Sequence, residues 1–230
     1  MHYKHVVKGT FIKRINRFLC EVAFCHGREF CHVPNTSRLI ELFLPGVPCI
    51  CVRNDNPKRK TQFTIIQVKK KGVWVNIDSQ VPNLLMSEYL VTNPGAIGLK
   101  PSLERQWKRE YRYKHSRFDI AYRDEEQWGL IEVKGVTLEE NTIAQFPGAP
   151  TTRGSKHIRE LIDAKDLGYE THLIFCVQVP YATKFTVARH IDPVFAAQYD
   201  LARASGVFIH AFRCGVDAGE IWIDRAIPCE

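Results

Sequence analysis

The feature that most constrains the fold is a change in the hydrophobic pattern near residue 81. Before it, apolar-rich runs of 6 to 8 residues alternate with turn residues, and no helical period of any length appears. The runs are residues 17–24, 28–33, 47–54, 61–68 and 73–78. Five short strands in so few residues predict a small OB-like β-barrel.

After residue 81, helical and strand patterns alternate. The predicted elements are a helix over 81–90, a linker over about 91–101, strands at 108–114, 116–123 and 128–136, a helix over 154–167, a strand at 171–179, a helix over 193–205, and strands at 207–213 and 220–227. Strands followed by a β-α-β crossover predict a mixed sheet with helices. The predicted fold class is α/β (α+β), with an OB-like β-barrel domain over 1–82 and a mixed-sheet domain over 83–230.

The charge balance bears on the choice of partner. Lys and Arg number 32 against 25 Asp and Glu, which gives a formal net charge of +7. This favours a polyanionic partner, nucleic acid before an anionic membrane, although a merely basic enzyme would look the same. The first residues lack the apolar run of a signal peptide and no stretch reaches the length of a membrane span, so we expect a cytoplasmic protein with no membrane partner.

The chain has eight cysteines, and Cys25 and Cys31 are each followed by histidine. This pairing raises the alternative of a zinc site. The two cysteines lack the CxxC spacing of zinc knuckles, however, and no second paired element follows. Two adjacent strands joined by a turn explain them equally well. We therefore expect free thiols and no structural zinc.

Charged residues stand inside two of the predicted strands, at Asp119, Glu132 and Lys134. Side chains alternate along a strand, so Glu132 and Lys134 share one face. If the strands pair through a turn at 123–129, Asp119 lies beside Glu132. Converging carboxylates suit Mg²⁺ or Mn²⁺, and a lysine can orient water or stabilise a phosphate. The alternative is a ladder of ion pairs on a solvent face.

Three groups of basic residues are candidates for phosphate contacts. Arg153, Lys156 and His157 fall on one side of the predicted helix over 154–167, whose beginning can face a phosphate. Arg117 shares the predicted strand face of Asp119. Lys58, Arg59 and Lys60 precede one barrel strand, and three lysines at 69–71 follow it. The alternative for all of them is a solvated polar surface.

Several longer motifs resemble a known family. The segments HVPNTSRL, SRFDI, EVKGVTL, FPGAPTTRGSKHIREL and IDPVFA occur in the order found in the sugar fermentation stimulation protein family, SfsA. The resemblance runs nearly end to end. It implies an N-terminal OB-like domain, a C-terminal domain similar to PD-(D/E)XK nucleases, and DNA binding linked to sugar (maltose) utilisation.

By this resemblance Asp119, Glu132 and Lys134 match a nuclease-type D…ExK signature, with Glu110 as a further acid before the first strand pair. Arg153, Lys156 and His157 match the family's RGxKH segment. Two positions depart from the pattern: Gly148 stands where the family has Asp, and Ser37 where it has Gly. The missing acid places a metal or structural contact in question.

Two classes of function follow. The first is a metal-dependent DNA nuclease with little sequence preference, in which Asp119, Glu132 and Glu110 are ligands and Lys134 positions the attacking water. The second is a DNA-binding regulator of sugar metabolism that keeps the nuclease-like fold without turnover. An RNA-binding module is a third alternative, since OB folds accept either nucleic acid. The sequence is also compatible with a homo-oligomer.

Overall fold

The N-terminal region forms a closed β-barrel. The structure, a computed structural model, describes residues 1–114, 116–125 and 127–230. The barrel strands are β1 (Val6–Asn16), β2 (Leu19–Phe24), β3 (Gly27–His32), β4 (Pro48–Arg53), β5 (Phe63–Lys70) and β6 (Val73–Asn76). They are arranged in the order β3-β2-β1-β4-β5-β6, and β3 also pairs with β5, which closes the barrel. The OB-like prediction is confirmed.

The barrel closes because alternate strand residues are apolar and fill its interior. Phe11, Val22 and Ile65 are fully buried there. The strand neighbours of Phe11 and Val22 are partly exposed, whereas Ile66, next to Ile65, is buried in the core that also contains residues of the helix over 81–92. Four cysteines lie in the same interior: Cys20, Cys31, Cys49 and Cys51. They act as small apolar residues, and all eight cysteines of the chain are free thiols.

The C-terminal region is built on a six-stranded mixed sheet. Its strands are β7 (Gln106–Tyr113), β8 (Ser116–Asp124), β9 (Gln127–Val136), β12 (Glu170–Val177), β14 (Phe208–Asp217) and β15 (Glu220–Ile227), in the order β15-β14-β12-β9-β8-β7. The central strands β9, β12 and β14 are parallel and the others antiparallel. A small second sheet comprises β10 (Leu138–Glu140), β11 (Ile143–Phe146) and β13 (Lys184–Val187).

Helices cover both faces of the large sheet. Helix α1 (Val81–Thr92) packs on the face that carries Ile131 and Val133. Helices α2 (Thr152–Asp166) and α3 (Pro193–Ala204) cover the opposite face, with Ile158 and Leu161 of α2 in the core. Both of these helices begin with a side-chain cap, Thr151 for α2 and Asp192 for α3. Coverage on both sides buries the parallel strands, as such strands require.

The two regions are joined by polar contacts. Glu139 of β10 forms ion pairs with Lys70 (2.9 Å) and Lys71 (3.1 Å) of the β5–β6 hairpin. Gln67 of β5 donates to the carbonyl oxygens of Asp217 and Glu220 at the β14–β15 turn. These contacts are between groups far apart in sequence and set how the barrel meets the sheet.

The mixed-sheet fold and its helices were predicted from the sequence, and two features were not. Strand β1 was missed because charged and polar residues interrupt its apolar positions, leaving only Phe11 fully buried. The small sheet was missed because its strands have only three or four residues. The predicted turn at 123–129 includes Glu126, which lies outside the described residues. No helix in the described ranges is long and apolar enough to cross a membrane.

Candidate active site

The candidate site lies where β8 and β9 separate. Their antiparallel pairing ends at Ile120 and Ile131, so the next residues in register are Asp119 and Glu132. Asp119 uses its side chain in place of the missing ladder bond: its Oδ2 accepts from the Val133 amide at 2.8 Å. Its Oδ1 accepts from Asn83 Nδ2 of α1 at 2.5 Å. The carboxylate is therefore held in the plane between the strands.

The regular alternation predicted for β8 fails at this point. Phe118 packs in the core beneath α2, whereas Ile120 packs in the core beneath α1, so the two do not share a face. The neighbouring strand is irregular too, because Glu110, opposite Asp119, has a φ of 55°. The backbone distortion turns Asp119 towards β9, where it can meet Glu132.

The alternation predicted for β9 is confirmed. Glu132 and Lys134 lie on the same side, and Lys134 Nζ is 2.5 Å from Glu132 Oε1. His157 of α2 also hydrogen-bonds that oxygen through Nδ1. The other oxygen, Glu132 Oε2, is buried and has no hydrogen-bond partner among the described residues. A buried acceptor without a partner is uncommon in proteins, and it calls for an explanation.

The pKa values of the two acids move in opposite directions. Burial, followed by repulsion from Glu132, raises the pKa of Asp119 to about 7, although the Val133 amide and Lys134 oppose the shift. Burial would also raise the pKa of Glu132, but Lys134 and His157 outweigh it and lower that pKa. At neutral pH the pair therefore carries between one and two negative charges in a confined space.

The third predicted ligand, Glu110, pairs with an arginine and does not join these two acids in a cluster. Its carboxylate forms an ion pair with Arg117 at 2.7 Å, and both side chains are largely exposed. Within residues 1–114, 116–125 and 127–230, no three His, Cys, Asp or Glu side chains lie close enough to hold a metal ion. Asp119 and the free oxygen of Glu132 are thus the donors that a cation would meet first.

A cationic cavity of about 830 Å³ lies beside the acids. His157 lines it and also contacts Glu132, so the cavity and the acids are adjacent. The other lining residues are Arg112, Ser116, Arg117, Thr152, Arg153, Lys156 and Arg159. The start of α2 adds its unpaired amides and positive dipole end. Of the predicted DNA contacts, this cavity brings together Arg117, Arg153, Lys156 and His157.

His157 is buried, whereas the other three predicted DNA contacts in the cavity are exposed. The predicted polar face of α2 either faces solvent or faces a phosphate, yet His157 is buried against Glu132 and Phe118. Its ring therefore links the cavity to the acids. The helical period alone does not separate it from Arg153 and Lys156, which are exposed.

The predicted basic residues of the barrel lie elsewhere. Lys58, Arg59 and Lys60 are exposed on the loop between β4 and β5, and none of them lines the cationic cavity. Arg59 donates to Asn54 Oδ1 within the same loop. In the run of lysines over 69–71, Lys70 and Lys71 form ion pairs with Glu139. The third, Lys69, lies over the ring of Trp74.

The two departures from the family pattern are neighbours in space. A Cβ added at Gly148 would lie 3.8 Å from Ser37 Oγ, the nearest heavy atom. A side chain at position 148 would therefore begin beside the barrel residue 37. Gly148 is exposed, and nothing in the structure explains the missing acid.

Sequence reasoning missed three residues of the site. Asn83 fixes Asp119 from α1, but nothing in its own segment distinguishes it from a polar helix residue. Arg112 and Arg159 complete the cationic cavity. Two signals in the sequence could have suggested them. Arg112 pairs with Arg117 across the β7–β8 hairpin, and Arg159 lies three residues after Lys156 on α2.

Comparison with known proteins agrees with this architecture. Residues 80–220 match the sugar fermentation stimulation protein RE domain, and residues 12–77 match the SfsA N-terminal OB domain. A sugar fermentation stimulation protein homolog from Ruminiclostridium cellulolyticum is 41% identical over 227 residues, covering 99% of this chain and 98% of that protein. One from Clostridium beijerinckii is 41% identical over 224 residues, with 96% of each covered.

A solved structure is also similar. Pyrococcus furiosus SfsA in complex with Ca²⁺ superposes with a TM-score of 0.89 at 27% sequence identity. The match covers 100% of this chain and 98% of that one. The arrangement of a barrel followed by a mixed-sheet domain is therefore shared along the whole length.

Proposed function

Since this chain belongs to the sugar fermentation stimulation protein family, we propose that it binds DNA with little sequence preference and hydrolyses phosphodiester bonds with a divalent metal. One observation carries the proposal. Glu132 is buried, its Oε2 has no partner, and it stands next in register to a second carboxylate, Asp119. A cation would give the free oxygen a partner and would offset the repulsion between the two carboxylates.

The donor set suits a hard cation. Both donors are carboxylate oxygens, which Mg²⁺ and Mn²⁺ prefer. Burial and then repulsion from Glu132 raise the pKa of Asp119, and a bound cation would offset both effects. The structure of Pyrococcus furiosus SfsA with Ca²⁺ supports divalent metal binding at the level of the family. Glu110 would have to leave Arg117 to serve as the third ligand.

The chain's own residues then divide the work of hydrolysis. A divalent cation would supply positive charge that acidifies the attacking water and stabilises the phosphate in the transition state. Lys134 is held by Glu132 on the same side of β9, where its ammonium can stabilise the negative charge on the phosphate. The water oxygen bonds to phosphorus, one P–O ester bond breaks, and the leaving oxygen takes up a proton.

The cationic cavity would bind the DNA backbone. Its guanidinium groups and the start of α2 are suited to phosphate oxygens, which carry no sequence information. Binding should therefore be nearly independent of sequence and should weaken steeply with salt. The contact of His157 with both the cavity and Glu132 would align a bound phosphate with the acids.

A DNA-binding regulator without turnover is the second candidate. One observation favours it: Glu132 Oε1 is already bonded to Lys134 and His157. With Glu110 also paired to Arg117, the acids are partly neutralised by the protein itself. In this case the cavity would bind DNA, and the acids would only hold α2 against the sheet.

Calorimetric titration with Mn²⁺ and Mg²⁺, paired with a plasmid-nicking assay, distinguishes the two candidates. We expect the wild type to bind Mn²⁺ and nick plasmid, and Asp119→Ala to lose both while remaining folded. Asp163→Ala is the matched control, since Asp163 is an exposed aspartate on the outer side of α2. Mn²⁺ binding that persists in Asp119→Ala would contradict the ligand assignment. DNA binding without nicking under any metal would favour the regulator.

A further inference from the structure

Large apolar side chains are exposed at one end of the barrel. Ile40 is 72% exposed and Ile15 is 44% exposed. Both line a cavity of about 430 Å³ formed by the end of β1, the turn that follows it, and the loop over 36–40. Exposed isoleucines clustered around one cavity contribute little to folding, and such clusters often mark a binding surface.

The backbone around this cavity is held rigidly by one side chain. The guanidinium of Arg14 donates to five carbonyl oxygens at 2.6 to 3.1 Å. They belong to Asn16, Arg17, Asn35, Ser37 and Arg38. Arg14 thereby ties the β1–β2 turn to the loop over 36–40. The isoleucines are presented on a fixed support, which lowers the entropy cost of binding.

The surface around the isoleucines is positively charged. Arg17 and Arg38 line the same cavity, and no acidic residue does. Among the described residues, neither arginine has a carboxylate within ion-pair distance. Free guanidinium groups beside apolar side chains suit a ligand that has both phosphates and flat apolar surfaces.

The cavity lies close to the candidate active site. Ser37, in its lining, lies near Gly148, where an added Cβ would be 3.8 Å from the Ser37 Oγ. Gly148 comes three residues before the cap of α2, Thr151. The first turns of α2 line the cationic cavity beside Glu132. One loop therefore separates the two cavities, and a nucleic acid bound in the cationic cavity could extend to the barrel.

We propose that Ile40 and Ile15, flanked by Arg17 and Arg38, form a wedge that binds DNA where a duplex opens into an unpaired strand. This inference rests on the proposed function, because it assumes that DNA binds this protein. Isoleucine gains nothing from a phosphate backbone, whereas apolar side chains do insert between unstacked bases while adjacent arginines hold the phosphates. The substrate class is therefore forked or flapped DNA.

Fluorescence anisotropy with the whole protein in EDTA tests the wedge without cleavage. The probes are a blunt duplex and a fork with the same paired sequence. We expect the wild type to bind the fork about tenfold more tightly than the blunt duplex, because tenfold corresponds to the free energy that about one contact with a base contributes. Ile40→Ser should lose this preference and keep its affinity for the blunt duplex. Leu201→Ser is the matched control, since Leu201 is 50% exposed on α3, outside both cavities.

A 2-aminopurine base at the fork junction reports the insertion itself. Its fluorescence should rise when the wild type or Leu201→Ser binds, and should not rise with Ile40→Ser, because only an unstacked base brightens. Thermal unfolding of the three proteins should coincide, since the substituted side chains are exposed. Arg38→Ala provides a second variant and should weaken fork binding more than duplex binding.

Four outcomes would overturn the wedge. Equal affinity of the wild type for fork and duplex would refute it and leave the proposed function standing. An equal loss of both affinities in Ile40→Ser would show a general contact instead. Self-association that Ile40→Ser abolishes, without any fork preference, would assign the surface to a second copy of the chain. Failure to bind either DNA would refute the proposed function itself.

Discussion

Two buried glutamates seven positions apart have opposite surroundings. Glu132 and Glu139 are 2% and 5% exposed, and each forms ion pairs with lysine. Every oxygen of Glu139 has partners: Oε1 accepts from Lys71 and the Thr142 amide, and Oε2 accepts from Tyr181 and pairs with Lys70. Glu132 has one crowded oxygen and one with no partner.

The difference separates a structural charge from a reactive one. Burial would raise the pKa of Glu139, but its donors outweigh burial and hold that pKa at about 2. It joins the barrel to the sheet domain and has no spare acceptor for a ligand. Glu132 faces another acid and keeps an oxygen free. A buried acid that the fold leaves unsatisfied is the better candidate for function.

The largest expected effect is on stability. Glu139→Ala leaves two lysines and a tyrosine without their acceptor at the domain junction, so we expect the free energy of unfolding to fall by about 3–5 kcal/mol. Urea denaturation measures it. Glu140→Ala is the control, since Glu140 is exposed on the same strand, and its effect should stay within about 0.5 kcal/mol. Equal effects of the two substitutions would break the comparison.

The next effect is on cleavage. Lys134→Ala should reduce plasmid nicking by about 100- to 1000-fold, the usual loss when a charge that stabilises the transition state is removed. DNA affinity should change far less. Lys70→Ala is the cross-control, because it removes the corresponding lysine from Glu139: it should lower stability and leave the nicking rate of the folded protein unchanged. Reduced nicking in Lys70→Ala would contradict the separation of the two clusters.

Without divalent metal, the two clusters should respond to pH in opposite ways. Glu139 has its pKa below the ordinary 4.5, so its stabilisation is present above that pH and is lost as pH falls towards 2. Asp119 has its pKa raised from 3.8 to about 7. The contribution of its protonated form to folding stability is therefore fully present below about pH 4 and is lost as pH rises through 7.

Asp119→Asn checks the second slope. It removes the repulsion from Glu132 and should be more stable than the wild type by about 1 kcal/mol at pH 8, with the difference shrinking towards pH 4. Urea midpoints measured in EDTA across this range test it. A difference that does not vary with pH would mean that Asp119 has an ordinary pKa in the folded protein.

The smallest effect concerns the basic residues. Arg153→Ala should weaken duplex binding and lower the slope of log affinity against log salt by about 1, as expected for one lost phosphate contact. Lys71→Ala should leave the slope unchanged, because Glu139 already pairs with that lysine. Anisotropy titrations at several salt concentrations measure both. A reduced slope in Lys71→Ala would show that the domain junction also binds DNA.

Much of the fold could be predicted from local patterns in the sequence. The two-residue period of a strand places Glu132 and Lys134 on one side whatever packs against them. The apolar period predicts a helix over 154–167, which lies within two residues of the observed bounds of α2, and the alternation of strands and helices predicts the mixed sheet. Each of these properties depends on residues that are only a few positions apart, so each can be predicted from a single sequence.

The contacts that give these residues their roles depended on tertiary structure. Asp119 meets Asn83 across 36 positions, Glu132 meets His157 across 25, and Lys70 meets Glu139 across 69. Periodicity tells which way a side chain points from its own element. Which elements become neighbours is decided by packing of the whole chain, and so is the fate of a buried acid. The sequence thus determined that Glu132 is a charged residue on one face of a strand, whereas the short strand of Glu139 was not predicted. Only the fold gave Glu139 a full set of partners and left Glu132 with a free oxygen.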